Sequence, residues 1–284
     1  MLYRCICSAR SSCLVPSNSF IHSIRYNSTI TTTNQSPASY NHVLLYDYTD
    51  RIVPYDIYSS WQQQLIKNRF YSQRQHPNNL SAQLPDLLIL CQHSSTYTLG
   101  RNTNKTNILF SMDRPPNNST VYHIDRGGDV TYHDIGQLVI YPILNLNRHT
   151  RSLHWYIRHL EQLIINTLQQ YSIYCTTIDG LTGVWCDNKK ICAIGLNASK
   201  WITSHGCALN IDIDLNGFKY IVPCGINDRG VTSIQQIMDD NEYGVNSNRI
   251  QYNHVKQTLI HEFEKLFNCR CELQSSDTPL NDVV

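Results

Sequence analysis

Hydrophobic and polar positions change period several times along the chain, and each change marks an element. His42–Tyr48 alternates well enough for a strand, and Tyr58–Phe70 sets Trp61, Leu65 and Ile66 at helical spacing. Residues 71–84 are polar and predict a loop. Asp86–Cys91, a continuous apolar run behind Pro85, predicts a buried strand. Residues 102–120 are again polar and turn-rich, and beyond them two strand-like runs bracket the block Arg126–His133. The clearest helix is Leu153–Tyr171, with Leu153, Tyr156, Ile157, Leu160, Ile164, Leu168 and Tyr171 on one face and Ser152 as its cap. His154 and His159 fall on that helix at a spacing that suits no shared ligand, so both read as surface residues.

Further on, Leu181–Trp185 and Ile191–Ile194 predict a hairpin across residues 186–190. Leu209, Ile211 and Ile213 alternate with Asn210, Asp212 and Asp214, which places the two carboxylates on the wet face of a strand. Val255–Phe267 predicts a C-terminal amphipathic helix, and residues 274–284 a frayed tail. Strands and helices interleave without strict βαβ regularity. The expected fold class is therefore α/β (α+β), a mixed β-sheet flanked by helices, with no internal repeat.

Composition narrows the function classes. With 41% hydrophobic residues, a net charge of +1 and 284 residues, the chain suits a soluble domain with a sizeable core. That balance offers no electrostatic case for nucleic acid or an anionic membrane, and no stretch has the ~20 apolar residues of a membrane span. Residues 1–35 hold Arg4, Arg10 and Arg25, many Ser and Thr, and no acidic residue before Asp47. Such a leader predicts a mitochondrial transit peptide removed near Tyr26, followed by a catalytic domain over residues 36–273. Eleven cysteines, an odd number at irregular spacing with no C-x-x-C, predict free thiols in a reducing compartment, with neither disulfides nor a metal site.

Lys190–Ile226 carries the candidate chemistry. Cys224 lies between Pro223, which fixes its own φ, and Gly225, which tolerates positive φ, so the thiol is expected on a tight corner. Lys190 opens an apolar run, so its stem enters the sheet while its amine stays near one end. A thiol beside a desolvated amine is a nucleophile and base pair. Earlier, Arg126-Gly127-Gly128 reads either as a hairpin turn or as a backbone that lets a ligand approach closely. Neither a Walker loop nor G-x-G-x-x-G occurs, so a phosphate cradle is not expected.

Five co-linear blocks extend this reading: H-S-S-T-Y-T-L-G-R, R-G-G-D-V-T-Y-H-D-I-G-Q-L-V-I-Y-P, G-V-W-C-D-N-K-K-I-C-A-I-G, S-H-G-C-A-L-N-I-D-I-D-L-x-x-F and I-V-P-C-G-I. Together, over about residues 42–267, they resemble the lipoyl(octanoyl) transferase family of the LipB type, octanoyl-(acyl-carrier-protein):protein N-octanoyltransferases, and with the leader a mitochondrial member. The resemblance implies a fold similar to the catalytic domain of biotin and lipoate protein ligases. It implies transfer of octanoyl from acyl carrier protein to a lysine of lipoyl domains, in 2-oxoacid dehydrogenase E2 subunits or the glycine-cleavage H protein. It needs no cofactor and no metal, and a monomer is expected.

The resemblance also assigns roles. The acyl-thioester cysteine falls on Cys224 and the family lysine on Lys190, with Lys189 an exposed neighbour. Substrate contacts fall on Arg126, Gly127, Gly128, Asp129, Val130, Thr131, Tyr132 and His133, on an A-I-G turn (Ala193, Ile194, Gly195) and on a G-C-A turn (Gly206, Cys207, Ala208). Two departures stand out. Asp134-Ile135 replace the family's Gly-Pro after His133, and Gln92-His93-Ser94-Ser95 replaces E-H-P-P. Two rivals remain, an ATP-dependent lipoate–protein ligase and a non-catalytic protein that binds acyl chains or lipoyl domains.

Overall fold

Most of the apolar alternation goes into one large sheet. The computed structural model describes residues 41–223, 229–241 and 249–275; the leader, Cys224 with Gly225, and the tail beyond Ser275 lie outside the described residues. In chain order the strands are β1 (Asn41–Ile52), β2 (Asp86–Gln92), β3 (Thr96–Leu99), β4 (Thr120–His123), β5 (Val130–His133), β6 (Gln137–Ile143), β7 (Thr176–Ile178), β8 (Leu181–Cys186), β9 (Lys189–Ser199), β10 (Ile202–Asn210) and β11 (Cys269–Leu273). The helices are α1 (Tyr55–Gln75), α2 (Leu153–Gln169), α3 (Ile234–Asn241) and α4 (Tyr252–Phe267).

Eight strands form a mixed sheet in the order β11-β1-β2-β6-β10-β9-β8-β7, and three form a smaller one in the order β4-β3-β5. Leu88, Leu90, Leu138, Ile140, Cys207 and Leu209 pack on one side of the large sheet with the apolar faces of α2 and α4. Leu87, Ile89, Val139, Tyr141 and Ile143 turn the other way, toward Tyr58 and Leu65 of α1. Strand periodicity thus feeds two cores from one sheet. The predicted mixed sheet flanked by helices is the fold observed.

Individual elements follow from local chemistry. Ser152 caps α2 by accepting from Trp155 N–H at 3.2 Å, a contact worth about 1 kcal/mol. The β8–β9 hairpin turns through Asp187 and Asn188, both at positive φ, as a two-residue hairpin loop requires. Lys256 of α4 reaches Asp47 of β1 at 2.6 Å and Thr49 Oγ1 at 2.7 Å, tying the helix to the sheet.

Several expectations are corrected. The loop predicted from residue 71 begins later, because α1 continues to Gln75. The two runs that bracket Arg126–His133 are β4 and β6, as expected, but Val130–His133 between them is itself β5, paired antiparallel with β3; since β4 also pairs with β3, Arg126-Gly127-Gly128 is not a hairpin turn. The A-I-G and G-C-A segments are not turns either. They face each other in mid-ladder, with Gly195 opposite Gly206, Ile194 opposite Cys207 and Ala193 opposite Ala208. The last predicted strand ends at Asn210. Beyond it Asp212 pairs with Arg249 at 2.6 Å, and Asp214 accepts from Asn216 N–H.

His159 is no plain surface residue, for its ring lies 3.9 Å from that of Trp155. Leu153, placed on the buried face of its helix, is 40% exposed. Cys175 and Cys186 form a disulfide, against the expectation of free thiols only. Residue spacing hides this pair because Cys175 precedes β7, and only the pairing of β7 with β8 brings it beside Cys186.

Candidate active site

The site lies where the large sheet meets the small one. Across β9, β10 and β6, Ala193, Ala208 and Val139 form one rung and share a face of the sheet. With Gly195 and Gly206 they make a floor of small residues. Thr131 and His133 of β5 and the loop Ile124–Asp129 line the same space, and Tyr55 and Tyr141 close one side. The cavity measures about 740 Å³ including its open mouth. A side chain at Gly206 would run into the Ile140 carbonyl, and a Cβ at Gly195 would sit 2.8 Å from Arg126 Cδ, so both glycines are required by close approach.

The Arg126–Asp129 loop is held by backbone on both sides. Gly127 N–H donates to Leu196 O of β9 at 2.9 Å, and Arg101 and Asn102 N–H donate to the carbonyls of Arg126 and Gly128. The Arg126 guanidinium donates to Thr98 O at 2.8 Å, Thr98 Oγ1 at 3.1 Å and Gly127 O at 3.0 Å. Asp129 accepts from Val130 N–H and from the Asn107 amide, anchoring the loop's other end.

Lys190 lines the cavity from β9 and is only 5% exposed, whereas Lys189 is exposed. Its Nζ lies 4.6 Å from the centre of the Trp185 ring, which favours a cation. Gly183 lies alongside the stem; its φ is +130°, and a Cβ there would sit 2.8 Å from the Cys192 carbonyl oxygen. Lys190 N–H donates to Gly230 O and its carbonyl accepts from Thr232 N–H, so the chain after residue 229 is pinned along the start of β9. On the other side, Val222 N–H donates to Asn107 O and Pro223 lines the cavity. Cys224, which follows Pro223, lies outside the described residues.

Most of the other residues assigned from the sequence come together here. Arg126, Gly128, Asp129, Val130, Thr131, His133, Ala193, Ile194, Gly195, Gly206, Cys207 and Ala208 all border the cavity. Gly127 and Tyr132 do not. Gly127 stitches the loop to β9, and Tyr132 turns to the opposite side of β5, where it packs against Tyr97 and Phe218. Ile135 is 53% exposed and neither it nor Asp134 borders the cavity, so that departure leaves the cavity lining untouched.

The sequence reading missed Tyr55, Val139, Tyr141, His205, Asn210 and Phe218. Val139, Tyr141, His205, Asn210 and Phe218 stand inside the quoted blocks, and a strand period of two puts Val139 and Tyr141 on one face. Tyr55 carried no signal. His205 adopts φ +58° in mid-strand, where its N–H donates to Gln62 Oε1 and its Nε2 donates to Asp125 Oδ1 at 2.7 Å. That bond holds the Asp125 carboxyl down at about 2.

Hydrogen bonds settle the state of the other two buried histidines. His93 Nδ1 donates to Val53 O at 2.6 Å and Nε2 accepts from Tyr141 OH at 2.9 Å. His133 Nδ1 donates to Gln137 Oε1 at 2.7 Å, because the Gln137 amide nitrogen is already committed to Asn210 Oδ1; its Nε2 accepts from Thr98 Oγ1. Burial drives His93 down to about 4; burial, then His93 itself, drives His133 down to about 3. His133 is therefore a neutral spacer whose acceptor lone pair is occupied, not a base.

A pH dependence of stability follows. Between about pH 6.5 and the folded values, the unfolded chain binds protons that these sites refuse, so stability is full above pH 6.5 and falls as pH drops. Unfolding free energy from urea titrations is expected to be level from pH 7 to 8 and lower by about 4 kcal/mol at pH 5. A flat profile from pH 7 to 5 would contradict two neutral buried histidines.

Residues 63–264 match the family described as lipoyl protein ligase A/B catalytic domain. A chloroplastic octanoyltransferase from Arabidopsis thaliana is 39% identical over 81% of this chain and 80% of its own length. Octanoyltransferases from Thermosynechococcus vestitus (45% identity, 76% of this chain, 87% of the relative) and Synechococcus elongatus (48%, 64% and 73%) are also similar. Among solved structures, a lipoate-protein ligase A bound with ATP superposes with a TM-score of 0.62 at 13% identity, covering 86% of this chain and 92% of that one. At that identity the likeness concerns the fold, which is that of the lipoate-protein ligases. On the match across its catalytic core and on these relatives, the chain belongs to the lipoyl protein ligase A/B catalytic-domain family, on its octanoyltransferase branch.

Proposed function

We propose that the protein transfers octanoyl from acyl carrier protein to the ε-amine of a lysine on lipoyl domains, the first step of endogenous lipoate synthesis, through a thioester on Cys224. The observation that carries the reading is a cavity floored by Ala193, Ala208 and two glycines, with Lys190 at one side and Pro223, which precedes Cys224 in the sequence, in its lining.

The chemistry runs in two exchanges. The Cys224 thiol gives its proton to Lys190 in its neutral amine form, and the thiolate attacks the octanoyl carbonyl; the carbonyl–sulfur bond to pantetheine breaks, and the departing thiolate takes the proton back from the Lys190 ammonium. The acceptor amine then attacks the new thioester, forming an amide, while its surplus proton passes through Lys190 to the leaving Cys224 sulfur. Thiol–thioester exchange keeps the acyl group activated, and amide formation drives the second half. About six methylenes against the apolar floor contribute roughly 5 kcal/mol of binding.

Purified protein, octanoyl-carrier and an apo lipoyl domain are expected to yield octanoyl-lipoyl domain without ATP. Transfer only from free octanoate with ATP would instead make it a ligase, and binding without turnover a non-catalytic protein. The leader composition supports mitochondrial delivery, although one relative is chloroplastic by name. Residues 1–35 fused to a fluorescent protein are expected to label mitochondria; plastid or cytosolic signal would overturn that address.

A further inference from the structure

We infer that Tyr55 and Tyr141 are the stop against which the methyl end of the acyl chain rests, and so set its length. This rests on the octanoyl-transfer reading and deepens it. Lys190 stands on β9 and Tyr141 on β6, at opposite sides of the three-strand floor β9-β10-β6. The rung Ala193–Ala208–Val139 crosses two strand spacings, about 9.6 Å at ~4.8 Å each. Eight carbons joined by seven bonds of about 1.5 Å extend to roughly 9 Å once their zigzag is allowed for. An octanoyl chain lying across that floor therefore ends at β6, where alanine and glycine give way to Val139 and Tyr141.

The wall there is stiff and closed. The Tyr141 ring stacks on Tyr58 with centroids 3.8 Å apart, and its hydroxyl donates to His93. Tyr55 packs against His93 at 5.2 Å and His133 at 6.2 Å between ring centroids. Tyr55 and Tyr141 are 3% and 4% exposed, and Tyr58 and His93 behind them are fully buried, so a longer chain has no way past them. The mouth, bordered by exposed Gly128, lies elsewhere.

Two variants move the stop in opposite directions. Tyr55→Ala opens the wall without breaking the Tyr141–His93 bond, and Ala208→Val raises the floor. Each buried methylene is worth about 0.8 kcal/mol, or roughly fourfold in kcat/KM. Hexanoyl, octanoyl and dodecanoyl donors are to be compared on wild type, both variants and the control Tyr55→Phe.

Tyr55→Ala is expected to raise the dodecanoyl-to-octanoyl ratio of kcat/KM by at least about tenfold, room for two or more methylenes. Ala208→Val is expected to lower the octanoyl-to-hexanoyl ratio about fourfold, and Tyr55→Phe to keep the wild-type order. If Tyr55→Ala does not fold, the Ala208→Val ratio decides. Unchanged ratios in variants that still transfer octanoyl overturn the stop. Wild type that transfers no acyl group from any donor overturns the parent reading instead.

Discussion

Replacing Cys224 with serine removes the acyl-enzyme and lowers octanoyl transfer by at least about a thousandfold, with the far-UV spectrum unchanged. A cysteine thiol near ~8.5 supplies thiolate at neutral pH, and a serine hydroxyl supplies no comparable alkoxide. Among the described residues, Cys91, Cys192 and Cys207 of the large sheet do not substitute. Burial pushes the thiols of Cys91 and Cys192 up, and Cys207 packs into the core beside α2. Steady-state transfer with intact mass measurement checks both parts. A normal adduct in Cys224→Ser would move the nucleophile to another residue.

Lys190→Ala is expected to cost about 10²–10⁴ in transfer, the range for losing a positioned proton carrier, while the protein stays folded. Removing the amine also removes its contact with Trp185, but the backbone bonds of residue 190 to Gly230 and Thr232 survive the substitution. Lys190→Arg separates charge from proton transfer. Its guanidinium retains a cation near Trp185 yet does not deprotonate. Rates within a few-fold of wild type for Lys190→Arg would mean that the residue supplies charge only. The neutral, fully bonded His133 leaves the lysine as the better proton carrier on this wall.

Much of the frame was legible in the residues. Helical period carried α2 and α4, which each bury one face in the same core, and a continuous apolar run carried β2, which buries a face in each of two cores. What escaped were features that depend on distant pairing. The G-C-A and A-I-G segments read as turns because glycine marks turns locally. Here glycine instead clears a floor, as Gly206 approaches the Ile140 carbonyl and Gly195 the Arg126 side chain. Val130–His133 read as a loop between strands because four residues are too few for alternation to show. Tyr55 entered the site through the placement of α1, which no neighbouring residue announces. The Cys175–Cys186 bridge was hidden for the same reason.

Within the site, the motif blocks named Arg126, Lys190 and the residues of the small-residue floor, which all border the cavity. They did not distinguish residues that border the cavity from those that brace it, as Gly127 and Tyr132 show. Direction along a strand makes that distinction, and it emerged only once β5 was paired with β3.

The central claim is that one sulfur carries the acyl group between two proteins. Wild-type protein incubated with octanoyl-carrier and no acceptor, then quenched, digested and sequenced by mass spectrometry, tests it most directly. The account predicts a single hydroxylamine-labile octanoyl group on the peptide containing residue 224, discharged when apo lipoyl domain is added. Octanoyl mapped to any other residue, or transfer at full rate with no adduct at any time, would contradict it.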